Sequence, residues 1–392
     1  MRLMKPILRF PEFISDWEEK KLKDIACINP KSNDTKADVI NYIDLESVNG
    51  NKVTDIKKIY KENAPSRAQR IAKDQDIFFQ TVRPYQQNNF IYNFDIHNIV
   101  VSTGYAQIRV HRNAYYIFTL LHTYRFLTSV LMNCTGSNYP AINGTDLSSI
   151  KVIYSSDEEE QRKIGDFFSK LDQQIELEEK KLAKLEEQKK GYMQKIFSQE
   201  LRFKDDNGKD YPAWEIKKLG DLYKYQQGQQ IPVENQYKMQ INNMKRFIRI
   251  VDVTENPKKR YIKDRKESGL INQKDLIMIR YGASAGTISM GYEGVIANNL
   301  FKFVKKQNVD NRYFYFLLKK SHFKIKSSSS QSAMPALNFN AMDTLKFSIP
   351  QYSEQQKIGG FFSELDKLVE KQNQKIDGLK ERKKGFLQKM FV

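Results

Sequence analysis

One long segment occurs twice in this chain, and that duplication constrains the fold more than any other feature. Residues 164–197 (IGDFFSKLDQQIELEEKKLAKLEEQKKGYMQKIF) align without a gap to 358–391 (IGGFFSELDKLVEKQNQKIDGLKERKKGFLQKMF), with 17 of 34 positions identical. A shorter match pairs Trp17–Asp24 with Trp214–Asp221, and each is preceded by Leu-Arg-Phe, at 8–10 and 201–203. The repeat unit is therefore half of the 392 residues, and a repeat on this scale fixes the architecture before any single element is assigned. Gln194–Phe197 leads directly into the second Leu-Arg-Phe, whereas its counterpart Gln388–Phe391 and the first Leu-Arg-Phe lie at opposite ends of the sequence. A repeat circular in this sense predicts a closed pseudo-twofold arrangement in which the two ends approach each other.

The duplicated segment carries a heptad seam. Alternating steps of four and three give Ile164, Phe168, Leu171, Ile175, Glu178, Leu182, Leu185, Lys189, Tyr192 and Ile196 in one copy. The other reads Ile358, Phe362, Leu365, Val369, Gln372, Ile376, Leu379, Lys383, Phe386 and Met390, with polar residues at the same two steps. Apolar steps sustained over four heptads predict long helices that pair with each other through this face. Asp157 or Ser156 is the expected N-cap of the first and Ser353 of the second, each followed by Glu. A helix over 158–197 is about 60 Å long at ~1.5 Å per residue.

The intervening bodies, 17–152 and 214–350, show short apolar runs bounded by Gly, Asn and Pro, such as Asp76–Phe79, Ile99–Val101, Asp275–Ile279 and Leu300–Val304. These predict strands, with helices at 115–132 and 311–320 between them, so each body reads as α/β or α+β. Both end alike, in Pro140-Ala141-Ile142-Asn143 and Pro335-Ala336-Leu337-Asn338, but otherwise diverge. Shared spacers with differing bodies suggest a common frame carrying two different readers. The expected segments are an N-terminal stretch 1–16, body 17–152, helix 153–197, linker 198–213, body 214–350 and helix 351–392.

Charge separates these parts. The chain is net +18, yet the helix 158–197 is net −1 and 354–392 net +3, while body 17–152 is net +4 and body 214–350 net +13. A polyanionic partner such as nucleic acid is the simplest reading, and it would touch the bodies. Cys27 and Cys134, far apart in sequence, supply neither a disulfide framework nor zinc-ligand spacing. No window approaches the ~18 apolar residues of a membrane span, which with the sparse cysteines points to a cytoplasmic protein. Catalytic motifs are missing: Gly208-Lys209 lacks the rest of a phosphate loop, and Gly282–Gly286 reads as a turn. Glu18-x-Lys20 has no strand-borne Asp before it, and His97, His111, His122 and His322 have no metal-like spacing.

Taken together, these residues resemble the specificity (S) subunit of Type I restriction-modification enzymes over essentially the whole chain. The resemblance rests on Trp17–Asp24 and Trp214–Asp221, on Glu160-Gln161-x-Lys163-Ile164-Gly165-x-Phe167-Phe168-Ser169-x-Leu171-Asp172 and its copy Glu354–Asp366, and on Lys189–Phe197 and Lys383–Phe391. It implies two target-recognition domains, each reading half of an asymmetric bipartite site on double-stranded DNA. Between them it implies two antiparallel helices that set the spacing and dock two methylation subunits, which restriction subunits join. It further implies no catalytic residue and no cofactor in this chain, with S-adenosylmethionine, ATP and Mg²⁺ belonging to its partners. The residues alone leave open a non-enzymatic scaffold that binds RNA or protein.

Recognition domains vary too much for base contacts to be carried over, so candidates come from side-chain chemistry. In the first body Arg83, Tyr85, Gln86, Gln87, Asn88 and Asn89 follow a strand, with Ser102, Thr103 and Tyr105 after another; Arg, Gln and Asn can read base edges. In the second, Arg280, Tyr281 and Ser284 take the comparable place, joined by Asn298, Asn299, Lys324, Lys326, Ser329 and Gln331. Serine-rich loops suit phosphate contacts.

Overall fold

The computed structural model describes residues 5–31, 37–255, 258–263, 268–328 and 335–392. The chain forms two compact units, residues 1–180 with 373–392, and residues 181–372. The division runs through the long helices and not at their ends.

In the first unit Glu18–Lys21 pairs antiparallel with Lys151–Tyr154 and ties the two ends of the body together. A mixed sheet has the order Lys57–Tyr60, Val39–Ile43, Ile99–Ser102, Ala68–Ile71, with its two central strands parallel. An antiparallel sheet has the order Cys27–Ile28, Tyr105–Arg109, Ile77–Gln80, Phe90–Ile91. Every residue of Ile77–Gln80 and Ile99–Ser102 is buried, so these strands read in the sequence as continuous runs without alternation. The second unit repeats these three sheets in the same strand order. Its mixed sheet is Arg260–Ile262, Lys245–Ile248, Gly294–Ile296, Leu270–Ile271, and its antiparallel sheet is Tyr223–Gln227, Leu300–Lys305, Ile277–Ile279, Ile288–Ser289. Glu215–Lys218 with Lys346–Ile349 closes it. Two sequences that diverge between their anchors thus build one α+β frame.

Two sequence expectations need correction. The pattern over 115–132 forms two helices, Ala114–Leu121 and Tyr124–Met132, because Thr123 takes an extended backbone conformation as an N-cap and accepts from the Phe126 amide. The second long helix runs Tyr352–Met390, so Ser353 lies inside its first turn and caps nothing. The first, Glu158–Phe197, starts at the expected Asp157, whose Oδ1 accepts from the amides of Glu159 (2.9 Å) and Glu160 (3.0 Å). Three glutamates in its first turn complement the helix dipole.

Within the first unit, residues 158–180 pair antiparallel with 373–392. Leu171, Ile175 and Leu379 form the buried seam, Phe167 meets Phe386 edge-on at 4.9 Å, and Ile164, Phe168 and Ile376 are buried. Within the second, 181–197 pair with 352–372: Tyr192 meets Phe361 at 5.3 Å, Phe197 stacks on Phe362 at 5.9 Å, and Ile358 is buried. Leu182, Leu185, Leu365 and Val369 are half-buried. The polar steps carry ion pairs. Lys383 bonds Asp172 (2.6 Å) in one unit, the equivalent Lys189 bonds Asp366 in the other, and the buried Glu178 meets Lys375 (3.0 Å).

The circular character of the repeat has a direct structural counterpart. The Leu201 amide donates to Lys195 O (3.1 Å) where the chain leaves the first long helix, and the Leu8 amide makes the same bond to Lys389 O (2.8 Å) across a covalent gap. Phe391 then packs against Trp17 (5.8 Å), Tyr116 (5.7 Å) and Phe168 (6.0 Å), the place that Phe197 takes against Tyr313 and Phe362 in the other unit. The duplicated Leu-Arg-Phe and Trp serve one purpose: Arg9 grips the fully buried Glu160 with two bonds (2.6 and 2.8 Å), and Trp17 Nε1 (3.0 Å) and Ser155 Oγ (2.6 Å) donate to the same carboxylate. Arg202 (3.2 and 2.7 Å) and Trp214 (3.2 Å) repeat this on Glu354.

The glycine of each Ile-Gly lets a body helix approach the long helix. A Cβ on Gly359 would lie 2.7 Å from the Tyr313 nitrogen, one on Gly165 3.0 Å from the Tyr116 nitrogen, and one on Gly360 would meet nothing within 4 Å. Gly360→Ala should therefore raise stability by about 0.5–1 kcal/mol through helix propensity. Gly359→Ala should lower it by about 1–3 kcal/mol through overpacking against backbone. Urea midpoints of the two variants check this, and equal midpoints would contradict it.

Candidate nucleic-acid interface

The loops after the central strands of the antiparallel sheets are built alike in both units. In the first, the Arg83 amide donates to Pro140 O (2.8 Å) and the Ile142 amide to Thr81 O (3.0 Å). In the second, the Gly282 amide donates to Pro335 O (2.9 Å) and the Leu337 amide to Arg280 O (3.0 Å). The repeated Pro-Ala-(Ile/Leu)-Asn is thus a strap. Its first two residues bridge the loop, its apolar residue is buried, and Asn143 or Asn338 caps the next short helix. This strap recurs across otherwise dissimilar bodies and holds the loop in the same way in each.

In the first unit the loop carries two residues in the left-handed region, Arg83 (φ 54°) and Gln87 (φ 51°), each disfavoured by roughly 1–2 kcal/mol for a residue with a Cβ. A buried amide holds the bend: Gln80 Nε2 donates to Val82 O and Gln86 Oε1 (both 2.8 Å), and Gln80 Oε1 accepts from the Asn88 amide (3.1 Å). The Arg83 guanidinium lies 4.4 Å above the ring of Tyr139, a half-exposed cation supported on one face and open on the other. Tyr85 and Gln86 are exposed, Gln87 and Asn88 half-exposed, and Thr103 half-exposed beside them, tied to Arg67 O (2.8 Å).

Three first-body candidates do not face outward. Asn89 is fully buried and spends its carbonyl on the Gln80 amide (2.8 Å), and Ser102 is buried with its hydroxyl on the Gly104 amide (3.2 Å). Tyr105 is fully buried, packed edge-on against Phe90 at 5.5 Å, with desolvation driving its hydroxyl well above the usual phenol range. Asn89 and Ser102 have hydrogen-bond partners inside the core, Tyr105 fills it with its hydroxyl unpartnered, and none can touch DNA without leaving it.

In the second unit Arg280 is half-buried with its guanidinium 4.1 Å from Phe339 and 5.0 Å from Tyr281, and it donates to Gln227 Oε1. Tyr281, Ser284 and Asn298 are half-exposed and Asn299 is exposed. The Asn338 amide donates to Ser328 O (3.2 Å), which ties the segment after the short helix His322–Lys326 to the strap; Lys324 and Lys326 are exposed, and Lys324 Nζ is held on Lys346 O, 4.6 Å from the Phe347 ring. Ser329 and Gln331 lie outside the described residues. Gly282 (φ 88°) and Gly286 (φ 89°) form the expected turn. Sequence reasoning missed Tyr139, Phe339 and Gln227, the supports of both arginines; they lie roughly fifty or more residues from them and carry no linear signal. Among the described residues, no group of His, Cys, Asp or Glu is placed to hold a metal ion, and no helix is long and apolar enough to cross a membrane.

Two strapped loops with arginine, amide and hydroxyl chemistry, on duplicated frames joined to a duplicated helix, define a two-module nucleic-acid reader. Residues 14–187 and 212–381 both match the type I restriction modification DNA specificity domain, and the chain belongs to that family. It is similar to the putative type I restriction enzyme MjaX specificity subunit of Methanocaldococcus jannaschii, 23% identical over 96% of this chain and 93% of that protein. A second relative from that organism, the MjaVIII specificity subunit, is 24% identical, but the chain spans only 46% of its length. The type I S subunit of M. genitalium superposes with a TM-score of 0.66 at 13% identity over 99% of both chains, which shows a common fold.

Proposed function

We propose that this chain is the DNA-recognition subunit of a type I restriction-modification complex and that each unit reads one half of an asymmetric bipartite site. The observation that carries the proposal is the pair of matching sheet frames whose strapped loops differ in chemistry: one frame, two readers. The helices would set the distance between half-sites and dock two methylation subunits, with restriction subunits added to that core. S-adenosylmethionine, ATP and Mg²⁺ would belong to those partners in the cytoplasm, and this chain would have no catalytic role. An RNA-binding scaffold is less well supported. RNA modules stack bases on exposed sheet aromatics, whereas Phe78, Phe79, Phe90, Tyr105, Phe301 and Phe303 are buried.

The test combines methylome sequencing with salt titration of binding. The modified motif should be split into two unlike halves and vanish when the gene is removed. Neutralising Lys324 and Lys326 to Gln should reduce the log K against log salt slope by about 2, since each lost phosphate contact removes roughly 0.9. The same change at Lys170, Lys181 and Lys184 of the first long helix should leave the slope nearly unaltered. Equal effects at the two sites would show that the basic second body is not where the polyanion sits.

A further inference from the structure

His122 is half-buried among the loops and helices of the first unit, and the proposed reading mechanism gives it no part. Its Nδ1 lies 2.7 Å from the Phe118 carbonyl, which can only accept, so Nδ1 carries the proton. Nε2 is then an acceptor, and two side-chain amides donate to it: Asn51 Nδ2 at 3.0 Å and Asn89 Nδ2 at 3.2 Å. Each amide leads to the strapped loop. Asn89 Oδ1 receives the Gln80 amide (2.8 Å), and Gln80 in turn fixes Val82, Gln86 and Asn88. Asn51 sits at the tip of the hairpin Val48–Asn49 with Lys52–Val53, where the adjacent Gly50 amide donates to Asn88 Oδ1 (3.0 Å). The neighbouring Lys52 holds Glu179 of the first long helix (2.5 Å), so the hairpin is gripped from both sides.

We infer that His122 is the positioning residue for base recognition by the first unit: as a neutral acceptor behind the loop, it sets the bend from which Arg83, Tyr85 and Gln87 are presented. This rests on the reading of that loop as the DNA contact. The ring is suited to the task because burial pushes it down to about 4, which keeps Nε2 unprotonated at any cytoplasmic pH; the charged groups facing it, Lys383 and Asp172, act in opposite directions. A protonated Nε2 would point a donor at two donors, with the Gln87 backbone, which favours the protonated ring, opposing burial. The left-handed Arg83 and Gln87 have no glycine to relax them, so the strained bend depends on this acceptor.

The experiment uses the subunit co-expressed with its methylation subunit and reads the modified motif base by base. Arg83→Ala identifies the half-site read by the first unit. His122→Phe, which keeps the volume and loses the acceptor, should relax discrimination in that half-site by roughly tenfold or more, the scale of one lost base contact. The other half-site, read by the same molecules, should keep its preferences. His122→Gln restores an acceptor and should recover most of the loss, and Asn51→Ala, at the half-exposed hairpin tip, should relax the same positions by a smaller factor. If Arg83→Ala shifts the half-site while His122→Phe and Asn51→Ala leave it within twofold of the unaltered protein, the positioning role is wrong and the loop reading stands. If Arg83→Ala changes neither half-site, the loop is not the reader and both ideas fall. Equal relaxation of both half-sites, or no recovery with His122→Gln, also overturns the role. Should His122→Phe not assemble, Asn51→Ala decides by the same criterion.

Discussion

Glu160→Ala should cost the first unit about 3–5 kcal/mol, a large fraction of the roughly 5–15 kcal/mol that holds a domain folded. The carboxylate is fully buried and accepts four hydrogen bonds, from Arg9 twice, Trp17 and Ser155. Its removal leaves a nearly buried guanidinium, an indole N–H and a hydroxyl without their acceptor, and that desolvation sets the cost more than the lost attraction does. Glu354→Ala should cost somewhat less. Its bonds to Arg202 Nε (3.2 Å) and Trp214 (3.2 Å) are longer than their counterparts, and Pro350 stands where Ser155 supplies a hydroxyl in the other copy. Replacing the first cluster wholesale, Arg9→Met with Glu160→Met, should recover much of the loss, because an apolar pair of similar volume leaves neither charge stranded. Chemical denaturation of the three variants checks the ranking, and a Glu160→Ala cost below about 1 kcal/mol would remove the carboxylate from its proposed place as the clasp between repeat motifs.

This clasp also shows what could and could not be seen in the residues alone. The seam Ile164–Ile196 was legible because a helix repeats its own face every three to four residues, so burial imprints a local period. The identity of Arg9 with Arg202 and of Glu160 with Glu354 was equally visible, but not their pairing, since the partners lie about 150 residues apart and no period links them. In the bodies, Ile77–Gln80 and Ile99–Ser102 announced themselves as apolar runs. The polar residues that follow did not reveal which way they turn. Asn89, Ser102 and Tyr105 have the same kinds of side chain as exposed Gln86, half-exposed Thr103 and exposed Tyr85, yet they satisfy buried backbone and core contacts. A bend carried by left-handed Arg83 and Gln87 needs internal amides to hold it, and part of the Asn/Gln-rich run serves that scaffold. Burial of a polar side chain depends on partners distant in sequence, so composition locates the loop and only the fold assigns its residues.

A chain truncated after Glu200 should be a symmetric homodimer. The first unit as it stands borrows residues 373–392, whose Met390 and Phe391 are buried in its core. Truncation empties that site, and exposing it is unfavourable, with about 25 cal/mol lost per Å² of apolar surface returned to water. The same chain carries the repeat equivalents of the missing residues, Ile196 and Phe197, at the end of its own helix. A second copy running antiparallel can insert them, and Lys189 of one copy then meets Asp172 of the other just as Lys383 meets Asp172 in the intact chain. Each copy gives and receives the same surface, so the contact closes with twofold symmetry and cannot propagate. Linkage in one chain supplies an effective concentration on the order of millimolar that separate halves lack, and the dimer should therefore dissociate on dilution. With methylation subunits it should modify an inverted repeat of the first half-site, because one reader is presented twice about a twofold axis. Light scattering across a dilution series and methylome sequencing of cells carrying only the half-chain test the two parts. A folded monomer at high concentration, or a modified motif that is not an inverted repeat, would break the link between the sequence repeat and the symmetry of the helix seam.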